Sequence, residues 1–126
     1  MRSVDWSGTE QTWEAFPDVI AAWAFGSAQA GQVGESSDLD IGVLFALTPS
    51  LDKLADLRRK LQQALQVDDI DLVVLNEASP ILRFEVTCGR LLFCRDIARL
   101  AEFVSLTARE YEDEMAFLQR AVYALG

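Results

Sequence analysis

Apolar and polar positions divide this chain into short unbroken apolar runs and longer helical stripes. Residues 18–25, Asp-Val-Ile-Ala-Ala-Trp-Ala-Phe, are almost wholly apolar and lie between Pro17 and Gly26. That length and those flanks predict a buried strand. Residues 39–45, Leu-Asp-Ile-Gly-Val-Leu-Phe, begin by alternating apolar with polar or small positions. The alternation predicts a second strand with one face buried and the other presenting acids. Residues 70–75, Ile-Asp-Leu-Val-Val-Leu, predict a third strand, and residues 91–94 a short fourth.

Helices are expected between these runs. Thr9 is placed to cap a short helix over residues 10–16, which Pro17 stops. Thr48-Pro49 reads as an N-cap followed by proline at the first helical position. Leu51, Leu54, Leu57 or Arg58, Leu61 and Leu65 then keep helical spacing. Ser79-Pro80 repeats the device and opens a helix to about Cys88, closed by Gly89.

From Ile97 to Leu125 apolar residues fall at 97, 100, 104, 108, 111, 115, 118, 122 and 125, the stripe of one long helix or two shorter ones. Phe103, Leu106 and Phe117 lie off that stripe. Two readings fit them: a helix packed on more than one side, or a second apolar side open to a partner or to another copy of the chain.

The order, with a helical turn expected after Gly26, is α-β-α-β-α-β-α-β-α. It predicts an α/β (α+β) fold in which a small mixed sheet is flanked by helices. The 126 residues suit one domain over 1–126, with a C-terminal helical segment at about 97–125.

Composition narrows the function classes. The net charge of −9 disfavours a duplex DNA binder, which needs a basic surface, and suits divalent cations or a basic protein partner. With no histidine, Ser-His and Cys-His schemes are excluded. No glycine-rich loop ends in Lys-Ser or Lys-Thr, which excludes a Walker-type phosphate loop. Cys88 and Cys94 form no metal-type cluster and read as free thiols. No apolar run approaches membrane-spanning length, so the expectation is a soluble, cytoplasmic protein without a membrane partner.

The informative stretch runs from Phe25 to Val43. A buried strand ends at Gly26-Ser27. Glycine lets backbone approach a ligand closely, and serine adds a hydroxyl beside exposed N–H groups, which makes a phosphate seat. After ten further residues come Asp38 and Asp40. On a strand these point to one face, about 6.5–7 Å apart, while Leu39 and Ile41 point into the core. Gly42 shares the acidic face and leaves space above it. Two neighbouring carboxylates repel each other unless a cation lies between them, and hard oxygen ligands beside a phosphate seat indicate Mg2+. Asp71 supplies a third acid if its strand lies beside the Asp38–Asp40 strand. Asp69 shares its face; Asp71 is preferred because it is embedded in the apolar run, whereas Asp69 suits a turn. Three such acids can hold two Mg2+ ions, one organising a triphosphate and one activating an acceptor hydroxyl.

Gly26-Ser27, ten residues, then Asp38-x-Asp40 resembles the minimal nucleotidyltransferases (MNT) of the DNA polymerase β superfamily. The resemblance extends to Asp71-Leu-Val-Val-Leu-Asn and to Gly89-Arg-Leu-Leu-Phe. It implies the DNA polymerase β-like nucleotidyltransferase fold and transfer of a nucleoside monophosphate, usually AMP from ATP, to a hydroxyl. It implies Asp38 and Asp40 as metal ligands, Asp71 as third acid and base, and Gly26 and Ser27 as the triphosphate seat. Small members of this type are commonly paired with a HEPN-domain toxin, whose tyrosine they AMPylate as antitoxins. Family members often carry Arg or Lys after Gly-Ser, where this chain has Ala28, Gln29 and Ala30. The departure leaves Arg58, Arg59 and Arg83 as candidates for that charge. It also keeps open a non-catalytic module that neutralises a partner by contact. A small-molecule nucleotidyltransferase of the aminoglycoside type would need more substrate-binding structure than 126 residues readily supply.

Overall fold

A computed structural model of the chain describes residues 2–26, 32–33 and 39–125. The expected helical turn after Gly26, and the loop residues Ala28, Gln29, Ala30, Gly31 and Gly34, lie outside the described residues.

The apolar runs form the strands that the pattern predicts. They are β2 (Val19–Phe25), β4 (Leu39–Phe45), β5 (Ile70–Val74) and β6 (Arg90–Cys94). They make one mixed sheet in the order β5-β4-β2-β6. The β4–β5 pair is parallel, and β2 is antiparallel to both β4 and β6. Two short strands, β1 (Arg2–Ser3) and β3 (Gln32–Val33), pair separately. Every residue of β2 is buried, as a central strand covered on both faces requires. Asn76 extends the β4–β5 pairing: its Oδ1 accepts from the Phe45 N–H at 3.0 Å and its Nδ2 donates to the Phe45 carbonyl at 2.8 Å.

Helices cover the sheet on both sides. Helix α2 (Leu51–Leu65) buries Leu57, Leu61 and Leu65 against Leu39, Ile41, Val43 and Phe45. Helix α1 (Glu10–Glu14) follows a 3-10 turn over Trp6–Thr9 and adds Trp13 to that core. The opposite face is covered by α3 (Pro80–Thr87) and α4 (Ile97–Leu125). There Leu82, Val86, Leu100 and Phe103 pack on Trp23, Phe25, Leu44 and Leu75. A shift of register in β2 between Val19 and Ala21 lets Ile20 and Ala21 both join this second core.

The caps differ in detail from the expected ones. Ser79 does cap α3, accepting from the Leu82 N–H, with Pro80 in the first turn. Helix α2 is capped not by Thr48 but by Ser50, whose hydroxyl accepts from the Lys53 N–H at 3.2 Å. Thr9 precedes α1 without capping it. Its buried hydroxyl donates to the Trp6 carbonyl at 2.6 Å and accepts from Trp13 Nε1 at 3.2 Å. Gly89 closes α3 for a steric reason rather than a left-handed turn: a Cβ there would collide with the Ala24 carbonyl oxygen.

Helix α4 is one helix, and its buried seam differs from the predicted stripe. The seam uses Leu100, Phe103 and Thr107, whereas Ile97 is exposed. The C-terminal end stands clear of the sheet: Val122, Tyr123 and Leu125 are 67%, 84% and 90% exposed.

Candidate functional site

Strand register brings the acids together. Phe25 on β2 lies opposite Asp40 on β4, and Asp40 lies opposite Asp71 on β5. Residues opposed across neighbouring strands share a face, with about 4.8 Å between strands. Phe25, Asp40 and Asp71 therefore form a row across the sheet, on the side of α3 and α4. The row sits at the C-terminal end of β2, where Gly26 begins the next turn. Asp40 is half-buried and Asp71 exposed.

Gly26 adopts φ +68°, a left-handed conformation that favours glycine. A Cβ at this position would stand 2.9 Å from Asp40 Oδ2. The turn therefore lies close against the Asp40 carboxylate, and a side chain there would meet both the left-handed backbone and that carboxylate. Gly42, one step further along the same face, is held open differently: a Cβ there would collide with Val86 Cγ1. That glycine serves close packing of α3 on β4, not open space above the acids.

Ser27 and Asp38 lie outside the described residues. Among the described residues no group of three metal-type side chains comes together; the described part of the predicted acid set is the Asp40–Asp71 pair. Asp69 precedes β5, is exposed, and accepts from the Leu39 N–H through its backbone carbonyl at 2.9 Å. It leads the chain into the register that sets Asp71 beside Asp40.

The three arginine candidates separate cleanly. Arg83 is committed to the fold: Nε donates to the Leu75 carbonyl and Nη2 to the Asn76 carbonyl, both at 2.8 Å. Its guanidinium also lies 5.5 Å from the Phe103 ring centroid and 3.7 Å from Glu110. Arg59 pairs with Asp56 at 2.6 Å on the exposed side of α2. Arg58 lines a cleft of about 450 Å3 together with Gln62 and residues 68–71, on helix α2 and so across the sheet from the acid row.

A second cleft, of about 500 Å3, opens beside Gly26. Phe25, Gly26, Ile81, Phe84, Cys88 and Tyr111 line it, with Glu85 and Gly89. Phe84 and Tyr111 stack with ring centroids 3.9 Å apart and planes 10° from parallel. Sequence reading missed this cleft. Tyr111 lay on the α4 stripe as a core position, and nothing local links it to Gly26.

Residues 9–98 match the family described as Polymerase beta, Nucleotidyltransferase, and the chain belongs to that family. The sheet with its flanking helices is the polymerase β-like nucleotidyltransferase fold, and several similar solved structures are toxin–antitoxin complexes. One is a toxin–antitoxin structure with AMP-PNP: 27% identity, 96% of this chain and 98% of that one covered, TM-score 0.78. Another is the tri-AMPylated Shewanella oneidensis HEPN toxin with its MNT antitoxin: 25% identity, 95% and 94% covered, TM-score 0.72. A third is a MntA–HepT toxin–antitoxin structure: 25% identity, 95% of both chains covered, TM-score 0.72. No curated protein matches the chain in sequence. Among the described residues no helix is long and apolar enough to cross a membrane.

Proposed function

We propose that this chain is an Mg2+-dependent adenylyltransferase that moves AMP from ATP to a tyrosine hydroxyl of a HEPN-domain toxin, acting as antitoxin of a HEPN/MNT pair. The observation that carries the reading is Asp40 in register with Asp71, beside a left-handed Gly26. Carboxylate oxygens on adjacent strands are a hard donor set that suits Mg2+. Asp38, Asp40 and Asp71 would hold two ions, which supply charge neutralisation at the phosphates and acidity to the acceptor hydroxyl. Gly26 and Ser27 seat the triphosphate through backbone N–H groups and a hydroxyl. Asp71, exposed at the sheet edge, receives the proton of the incoming hydroxyl. The acceptor oxygen bonds to the α-phosphorus as the bond to the bridging oxygen breaks, and pyrophosphate leaves.

The partner reading is supported by the similar structures, in which an MNT antitoxin is found with a HEPN toxin. The apolar free end of α4, around Leu118, Val122 and Tyr123, is the surface we assign to that contact. The whole span 1–126 then works as one nucleotidyltransferase domain.

The test is transfer of labelled AMP from ATP to a HEPN partner in the presence of Mg2+. Asp40→Asn and Asp71→Asn should each lower the rate by on the order of 100-fold or more, equal to ~2.7 kcal/mol of barrier. Full activity in both folded variants would falsify the assignment. The uncharged stretch Ala28-Gln29-Ala30 favours one second reading, neutralisation by contact alone. Calorimetry separates the two, because a contact-only module binds the toxin tightly yet gives no heat with Mg2+-ATP.

A further inference from the structure

The proposed chemistry leaves a charge unbalanced. Two Mg2+ ions offset the roughly four negative charges of a triphosphate and leave Asp38, Asp40 and Asp71 uncompensated. Carboxylates at close range repel one another and the phosphates. The chain carries −9 overall and lends no general positive field. A cation at the phosphates would therefore favour binding, yet the stretch from Ser27 to Asp38 contains neither lysine nor arginine.

The sequence holds eleven lysines and arginines, and ten of them stand elsewhere. Lys53 and Arg59 pair with Asp18 and Asp56, and Arg83 and Arg95 are spent on backbone carbonyls. Arg58 and Lys60 belong to α2, across the sheet from the acids. Arg90 lies opposite Ala24, and Ala24 opposite Ile41, so Arg90 is on the α2 side as well. Arg99 follows β6 at the end of the sheet remote from Phe25. Arg109 comes two residues after buried Thr107 and so falls on the outer side of α4, and Arg120 is on its exposed end.

Arg2 is placed differently. It lies on β1, which pairs antiparallel with β3, with Arg2 opposite Val33 and Ser3 opposite Gln32. Strand β3 belongs to the connection that leads from Gly26 to β4. The segment after β1 is anchored at the acid end of the sheet. Val4 is buried in the core that holds Leu39 and Ile70, the residues that open β4 and β5. Gly8 stands against the Ala64 carbonyl near the end of α2, from which the chain turns into β5. We infer that Arg2 is the cation of the triphosphate seat, delivered by the pairing of β1 with β3 to the connection between Gly26 and the acid row. The inference rests on the nucleotidyltransferase reading above and adds to it a partner for the polyphosphate tail from a distant part of the sequence.

The experiment compares the full chain with Arg2→Gln, Arg2→Lys and the double variant Arg2→Gln/Val33→Arg, which returns the charge from the facing strand. Calorimetry with Mg2+ measures binding of ATP and of inorganic tripolyphosphate, and thermal unfolding shows that each variant is folded. Arg2→Gln should weaken both ligands about ten-fold or more, the loss of one charge-assisted contact. Arg2→Lys keeps the charge and should stay within about three-fold of the unsubstituted chain. Val33→Arg should recover most of the loss, because opposed residues on paired strands share a face. Unchanged affinity for tripolyphosphate in Arg2→Gln would overturn the inference and leave the metal-site reading standing. A loss as large in Arg2→Lys, or one that Val33→Arg leaves unrelieved, would give β1 a merely structural part and overturn it too. If the unsubstituted chain binds neither ligand, the nucleotide reading itself fails and takes the role of Arg2 with it.

Discussion

The two faces of β4 do different jobs. Leu39, Ile41, Val43 and Phe45 alternate onto the α2 side and are buried among Leu57, Leu61 and Trp13. Asp40, Gly42 and Leu44 alternate onto the α3–α4 side, where the acid row begins and Val86 packs close over Gly42. One seven-residue strand thus builds the fold with its odd positions and offers chemistry with its first even one. The strand period of two makes this division possible, because adjacent residues never compete for the same space. Substitutions on one face should be felt as stability, and at the acid row as activity.

The largest stability effect belongs to the apolar face. Leu57→Ala removes a fully buried side chain from the α2 seam and should cost about 2–5 kcal/mol, read from the midpoint of denaturant unfolding. A cost below about 1 kcal/mol would mean that α2 is not packed as described. Next comes the close packing at the mouth of the aromatic cleft. Gly89→Ala drives a methyl group into the Ala24 carbonyl and should destabilise by roughly 1–3 kcal/mol, with thermal unfolding as the readout.

A smaller effect is expected at the start of α3. Ser79→Ala leaves the Leu82 N–H without its cap and should cost about 1 kcal/mol. Smallest of all is the stability change at the acid row. Asp71→Asn replaces an exposed carboxylate with its isostere and should shift stability by no more than about 0.5 kcal/mol, while the proposed transfer should fall by the hundred-fold or more given above. A large loss of stability in Asp71→Asn would erase the distinction between the faces.

Much of this was legible beforehand, for identifiable reasons. β2 and β4 were readable because unbroken or alternating apolar runs ended at glycine and proline. The cap of α3 was readable because Ser79-Pro80 has few other uses. Misreadings came where a polar residue had two possible partners. Thr48 and Ser50 both precede α2, and only geometry shows that Ser50 reaches the Lys53 N–H. Thr9 stood where a cap belongs but bonds Trp6 and Trp13 instead. In α4 the seam passes through Thr107, a polar residue that a search for apolar spacing steps over.

The candidate acids could be proposed from the sequence, but the arrangement of Asp40 and Asp71 could not. Asp40 and Asp71 meet through a parallel pairing that encloses the whole of α2, and no local signal sets that register. Arg83 looked as available as Arg58 until its bonds to the Leu75 and Asn76 carbonyls were seen. The cleft wall joins Phe84 to Tyr111, partners that only tertiary packing could reveal.

Position 26 has a final consequence. A methyl group at this position would stand 2.9 Å from the neighbouring carboxylate oxygen, so that side chain would have to give way. Backbone shape and acid placement are there a single tolerance, so alanine at this position would strain the left-handed turn and push the Asp40 carboxylate aside together. Even the smallest enlargement there is felt twice, once in the dihedral angles and once in where the acid can rest.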